Sequence, residues 1–427
     1  MNNLRRVKLG SFFTQSVAGE WGSEPTGIDD VTVYRAADFS KDCKLNVTEG
    51  ALRSVPKSKL SNRKLNRNDI LVEKSGGSPT QPVGRAVIYK PDSDEQVATC
   101  SNFLQRLVVD DDYSPEFVYY LMLGLYQANA TLPYQQQTTG IYNLKLDEYL
   151  QTEVETYVDR NLQEKVADIL STIDNQIDAT QALIDKYTAI KQGMMADLFS
   201  RGIDPETKAL RPTFEEAPEL YQKTPLGMLP KGWDVIELQT VATVERGKFT
   251  HRPRDDKRCY GGEYPFIQTG DVAVCVGNHL TQYKQTLSDF GRSVSKEFPV
   301  GTVAVTIAAN IADTAILAMP MCFPDSVVGV VVDERLSSSR FVELCIRMSK
   351  AKLDALAPQS AQKNINLEDL RPLKLPFPSR VEQELVCSSY EAINDPVNSL
   401  NNEKKKLIAQ KSGLMQDLLT GKVPVPA

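Results

Sequence analysis

Residues 161–202 constrain this chain more than any other stretch. Their apolar side chains fall at Val166, Leu170, Ile173, Ile177, Ile184, Tyr187, Ile190, Met194 and Leu198, the alternating three and four spacing of one helix face. About 40 residues at ~1.5 Å each make a rod of roughly 60 Å, long for a helix inside one globular domain. The stretch is therefore expected to be half of a coiled coil.

The other half lies 220 residues downstream. Lys411-Ser412-Gly413-Leu414-Met415-Gln416-Asp417-Leu418-Leu419-Thr420 aligns without a gap on Lys191-Gln192-Gly193-Met194-Met195-Ala196-Asp197-Leu198-Phe199-Ser200. At the same offset Gln163-Glu164 falls on Gln383-Glu384, Val166 on Val386, Ile173 on Ile393 and Ile177 on Val397. The chain thus reads as a duplication, a globular unit and a long helix followed by both again.

With 427 residues there is room for two domains of about 150 residues besides the helices. No signal peptide is read at the N-terminus, where Arg5, Arg6 and Lys8 precede no apolar run, and no window has the roughly 18 apolar residues of a spanning helix. A cytoplasmic protein is expected. Seven cysteines without a C-x-x-C pair argue against a disulfide framework and a thiolate zinc site, and two histidines, His251 and His279, cannot build a metal cluster. Net charge is −6, but residues 147–220 hold sixteen acidic and seven basic residues, which leaves the rest of the chain at +3. An acidic total therefore does not exclude nucleic acid as a partner of the globular units.

In the first unit, strands are expected at 6–10, 69–72, 85–89 and 103–109, with a Gly/Ser/Pro loop at 75–83. A helix starts after Ser114-Pro115 and runs to about Leu125, and a polar loop covers 134–140. Residues 204–223, rich in proline and glutamate, read as a linker crossing the surface. The second unit opens at Gly227-Met228-Leu229-Pro230-Lys231-Gly232-Trp233. Short β-branched runs follow, at 234–238, 301–306, 314–317 and 327–332, the pattern of a strongly twisted sheet. A helix over 339–356 and a polar segment, 359–367, close the unit.

The opener 227–233, the segment Tyr264-Pro265-Phe266-Ile267, the strand end Thr306-Ile307-Ala308-Ala309, Gln383-Glu384 and the two Gly-x-Met-x-Asp-Leu helix ends resemble the DNA-specificity subunits of type I restriction-modification systems. The resemblance covers essentially the whole chain, and the duplicated order is its most specific part. It implies an α+β fold with two β-rich target recognition domains related by pseudo-two-fold symmetry, separated by two long helices in an antiparallel coiled coil. The implied bounds are a first recognition domain over 1–158, a spacer helix over 159–203, a linker over 204–221, a second recognition domain over 222–379, a second spacer helix over 380–421 and a tail over 422–427. Each domain would read half of a split, asymmetric double-stranded DNA site. Two modification (methyltransferase) subunits would dock on the chain, and restriction (translocase/nuclease) subunits would join them. S-adenosylmethionine and ATP are expected only in those partners, and no catalysis or cofactor in this chain. The sequence agrees so far as it goes, since no Pro-Pro pair exists for an adenine-methyltransferase loop and no Gly-x-x-x-x-Gly-Lys-[Ser/Thr] loop exists for phosphates. A coiled-coil scaffold carrying two protein-interaction domains is the alternative.

Two departures stand out. The first unit lacks the Gly-Trp opener, and Pro396 sits inside the second helical stretch. There it either kinks the helix or follows Asp395 as the first residue of a new one.

Candidate DNA contacts are the basic run Lys57, Lys59, Arg63, Lys64 and Arg67, which could track phosphates, and the cluster Arg246, Lys248, Arg252, Arg254 and Arg258, whose guanidinium forks suit guanine edges as well as phosphate. Gln136, Gln137, Thr138 and Thr139 in the first unit, with Gln359, Ser360, Gln362, Lys363 and Asn364 in the second, are candidate base readers, because amides pair bidentately with adenine. Lys74, Ser75, Arg85 and Asn310 complete the set. For each, a solvated or helix-capping loop is the plain alternative. Met194, Met195 and Met415 are read as helix packing, and Gly193 and Gly413 as sites of close helix approach.

Overall fold

The computed structural model describes residues 4–425 apart from 79, 94, 139, 309 and 358–363, with the backbone alone at Thr138. The chain divides into two compact units, one of Met1–Leu183 with Leu400–Ala427 and one of Ile184–Ser399.

In the first unit the strands Phe13–Ala18, Leu104–Val109, Ile70–Glu73 and Ala86–Ile88 stand side by side in that order, all antiparallel. Val31–Tyr34 pairs in parallel with Ala98–Cys100, and Leu4–Lys8 pairs antiparallel with Glu153–Tyr157. The helix Pro115–Gln127 begins where expected, with the Ser114 hydroxyl accepting the Phe117 N–H at 3.4 Å. Its Phe117 and Met122 are buried with Phe12, Ile70, Leu107 and Tyr149 in one core.

The second unit repeats this plan. Ala242–Arg246, Val327–Val332, Val303–Thr306 and Thr314–Leu317 stand side by side, all antiparallel, so these four again follow the order first, fourth, second, third, and His279–Leu280 adds a fifth strand parallel to Thr314–Leu317. Tyr260–Phe266 pairs in parallel with Met321–Cys322, and Asp234–Glu237 antiparallel with Lys374–Phe377. The helix Ser339–Met348 is capped by Ser338. The expected single helix over 339–356 is broken: Ser349 turns out of helical geometry at φ −87°, ψ 2°, and Lys350–Leu356 is a separate helix.

The rods form as the spacing predicts, over Arg160–Ser200 and Arg380–Leu419. Within the first unit they run antiparallel: Lys411 Nζ reaches Asp174 at 2.6 and 2.8 Å, and Lys404 Nζ reaches Gln181 at 2.5 Å. Within the second unit Lys191 Nζ reaches Asn394 at 3.2 Å. Val166, Leu170, Ile173, Ile177, Ile184 and Leu198 are buried, as are Met195 and Met415. Ile190 is an exception at 43% exposed, because that turn presents Lys191 to Asn394 instead. The helix is continuous through Pro396; the proline removes one backbone donor, and no second helix starts at Asp395.

Four further expectations change. A Cβ on Gly193 or Gly413 would meet nothing within 4 Å, so neither glycine mediates close approach. Residues 134–140 hold strand rather than loop, since Gln135–Thr138 forms a hairpin with Ile141–Leu144, and the expected loop at 75–83 begins with the strand Ser75–Gly77. The linker does not simply cross the surface. Its Arg211 pairs with the buried Glu382 at 3.0 Å, Glu382 also accepts the Ile203 N–H at 2.9 Å and Trp233 Nε1 at 3.0 Å, and Tyr221–Thr224 is paired with Gly227–Pro230. Among the described residues no helix is long and apolar enough to cross a membrane.

Candidate nucleic-acid interface

The first unit brings together segments far apart in sequence. Ile141–Leu144 pairs on one side with Gln135–Thr138 and on the other with Ser75–Gly77. Gln136, Asn143 and Ser75 thus form one row across three strands, and the Ser75 hydroxyl meets Asn143 Oδ1 at 2.6 Å. Gln137 belongs to the next row, with Tyr142 and Gly77. Successive strand residues project to opposite faces, so Gln136 and Gln137, both exposed, cannot serve one surface together.

Next to this row, Lys74 Nζ contacts Gln105 Oε1 at 3.3 Å, and Gln105 Nε2 donates to Ser16 at 2.9 Å. Ser16 lies on the edge strand Phe13–Ala18, at whose end the Ala18 carbonyl accepts Arg63 Nε at 3.1 Å. The polar row and the basic run therefore meet along one sheet edge. In that run the exposed Lys57 and Lys59 pair with Asp29, also exposed, and the half-buried Glu20, both at 3.1 Å. Such pairs contribute about 0–1 kcal/mol each, so a phosphate can replace the carboxylate at little cost. Lys64 and Arg67 are exposed as well, Arg67 donating to the Pro91 carbonyl.

Arg85 does not belong to this surface. It is 7% exposed, and its guanidinium donates to both Glu73 oxygens at 2.9 and 3.1 Å and to the carbonyls of Ala36 and Phe39. A charge so engaged beneath the surface is structural, which corrects its assignment as a DNA contact. Gln105, absent from the sequence-based candidates, occupies the place between Lys74 and Ser16; its sequence signal is a polar residue beside Arg106 in the strand Leu104–Val109.

In the second unit the corresponding edge strand ends at Arg246, whose Nη2 approaches Asn366 Oδ1 at 3.5 Å. Asn364 forms a bridge with Ala308, and the Ile365 N–H donates to the Ile307 carbonyl at 3.0 Å. The exposed Asn310 follows the same strand end. Gly247 permits the edge strand to pass Phe323 and Pro324, where a Cβ would stand 2.3 Å from each carbonyl oxygen. Beyond it Lys248, Arg252, Arg254 and Arg258 are all exposed. Arg254 pairs with Asp325 at 3.0 Å and Arg258 with Asp256 at 2.7 Å, and His251 meets the same Asp256 at 2.8 Å. The Arg258 side chain and N–H, then His251, hold the Asp256 carboxyl well below its ordinary pKa. Gln359, Ser360, Gln362 and Lys363 lie outside the described residues, as does Thr139, and so does the Thr138 side chain.

A family profile described as the type I restriction modification DNA specificity domain matches residues 230–410. Among curated proteins of Methanocaldococcus jannaschii, the putative MjaX specificity subunit is 25% identical over 264 residues, covering 62% of this chain and 57% of that protein. The MjaVIII specificity subunit is 24% identical over 386 residues, covering 86% of this chain and 82% of its own length. The match thus spans little more than half of the first relative and most of the second. The solved structure of a type I restriction-modification S subunit from M. genitalium has a like fold, with a TM-score of 0.61 at 12% identity over 100% of this chain and 97% of that one. Residues 230–410 thus match the type I restriction modification DNA specificity domain, and the fold of the whole chain is like that of a solved S subunit.

Proposed function

We propose that this chain is the DNA-reading subunit of a type I restriction-modification complex. Each unit takes one half of a bipartite, asymmetric double-stranded site, and the chain performs no catalysis itself. Modification subunits docked on it place their chemistry over an adenine in each half, drawing on S-adenosylmethionine, and restriction subunits add ATP-driven translocation and cleavage. The assembly works in the cytoplasm.

One observation carries this reading. The two units share the order of four sheet strands yet carry different chemistry at the equivalent edge: a Gln136, Asn143 and Ser75 row beside lysines in the first, and Arg246, Lys248 and a guanidinium cluster in the second. One scaffold with two reading surfaces suits two different half-sites, since amides favour adenine and guanidiniums favour guanine. Co-expression with modification subunits followed by methylation-site sequencing tests it. A single split motif with unlike halves is expected. Absence of any sequence-dependent methylation, with the chain capturing protein partners only, would leave the scaffold reading in its place.

A further inference from the structure

The second unit holds a pocket that shares only Arg254 with the proposed edge contacts. Phe249, Phe266 and Pro324, all buried, line it with the half-buried Tyr260, and Arg254, Asp255, Gln268 and Gln285 are its exposed residues. The three rings pack on one another, with centroids 5.3 Å apart for Phe249 and Phe266, 6.0 Å for Phe249 and Tyr260 and 6.3 Å for Tyr260 and Phe266. Phe249 and Phe266 belong to a small buried core, and Tyr260, packed on both, is the ring that keeps part of its surface in solvent. The Tyr260 hydroxyl donates to the Arg254 carbonyl at 2.5 Å, which ties the ring to the loop bearing the guanidinium cluster.

The exposed amides are paired. Gln268 Nε2 donates to Gln285 Oε1 at 2.8 Å, while Phe266 and Gln285 face each other across the strand pair. That bond uses the nitrogen of one amide and the oxygen of the other. The remaining oxygen and nitrogen form an acceptor and a donor side by side, and exchanging the orientation of both amides leaves the same complement. An aromatic face with a donor-acceptor edge beside it and the Arg254 guanidinium at its rim matches a nucleobase next to its phosphate.

We propose that this pocket receives one unstacked nucleobase of the bound duplex, stacked on Tyr260 and bonded at its edge by Gln268 and Gln285. The inference rests on the DNA-reading function proposed above. It goes beyond edge reading, because a base can reach an aromatic face of this kind only by leaving the stack.

The test uses the complex of the full chain with its modification subunits and the target found by methylation sequencing. Duplexes carry 2-aminopurine or pyrrolocytosine at each position of the second half-site in turn, the methylated adenine being a separate control. A several-fold fluorescence rise at one position other than that adenine is expected. Tyr260→Leu and Gln285→Ala should abolish this rise and weaken target binding about tenfold, while Tyr260→Phe, which keeps the ring, should retain both. The surface variant Gln285→Ala keeps the test valid if Tyr260→Leu fails to fold. A bound, methylated duplex with no such position, or a rise indifferent to Gln285→Ala, overturns the pocket assignment alone. A complex that binds no duplex overturns the DNA reading with it.

Discussion

Gln163 Oε1 accepts the backbone N–H of Ser114 at 2.9 Å, joining the cap of the first unit's helix to the start of the first rod. Its Nε2 donates to the Tyr157 carbonyl at 2.9 Å, and the side chain is fully buried. The second unit makes the same joint with Gln383, which accepts from the Ser337 hydroxyl at 2.8 Å and donates to the Pro378 carbonyl at 3.1 Å. Removing either amide strands buried backbone or hydroxyl partners at about 1–3 kcal/mol each. Gln163→Ala and Gln383→Ala should each lower the urea midpoint without changing which sequence is methylated; an unchanged midpoint would mean the joint contributes nothing.

Arg85 and Glu73 form a buried pair with 7% and 2% of their surface exposed. Breaking such a pair by removing one partner costs about 3–5 kcal/mol, because the other charge is left alone in the interior. Arg85→Ala should therefore destabilise the protein strongly by urea unfolding, and the double variant Arg85→Met with Glu73→Leu should recover much of that stability. Weakened DNA binding at unaltered stability would restore Arg85 as a contact residue.

Glu382 collects Arg211, the Ile203 N–H and Trp233 Nε1 on one carboxylate. Glu382→Ala should free the segment before Trp233 and raise trypsin cleavage at Lys208 and Arg211. Equal cleavage in the variant and the parent would show that the segment is held by other contacts.

Asp256 has its folded pKa depressed from 3.8, with Arg258 the first cause and His251 the next. A depressed carboxylate contributes stability that is present above the unfolded value of 3.8 and lost as pH falls through the folded value. The stability difference between the parent protein and Asp256→Asn should thus be largest above about pH 5 and shrink in acid. A difference that stays constant across this range would remove the charge coupling.

The exposed cations of the second unit should show themselves in salt. Each phosphate that the protein no longer neutralises lowers the slope of log affinity against log salt by about 0.9, so replacing Lys248, Arg252 and Arg258 by glutamine should flatten the plot stepwise. In the first unit, Gln136→Ala and Gln137→Ala should differ in effect, since their side chains leave the strand on opposite faces. Equal effects of these two substitutions would contradict the row built from Gln136, Asn143 and Ser75.

The sequence by itself determined the long helices, the duplication, eight of the strands, the cap at Ser114 and the register of Gln163 on Gln383, but not the edge strands Phe13–Ala18 and Ala242–Arg246. Those signals are local: a three and four spacing, a cap before a proline and a β-branched run act within a few residues of themselves. Tertiary structure alone decided that the glutamine stretch at 135–138 is a strand row with Ser75, that Arg85 is buried against Glu73, and that residues 203–221 are pinned by Glu382. Each of these depends on a partner well away in the chain, and a polar side chain is spelled the same whether it faces water or a buried carboxylate. Only the fold decides which of the two it meets.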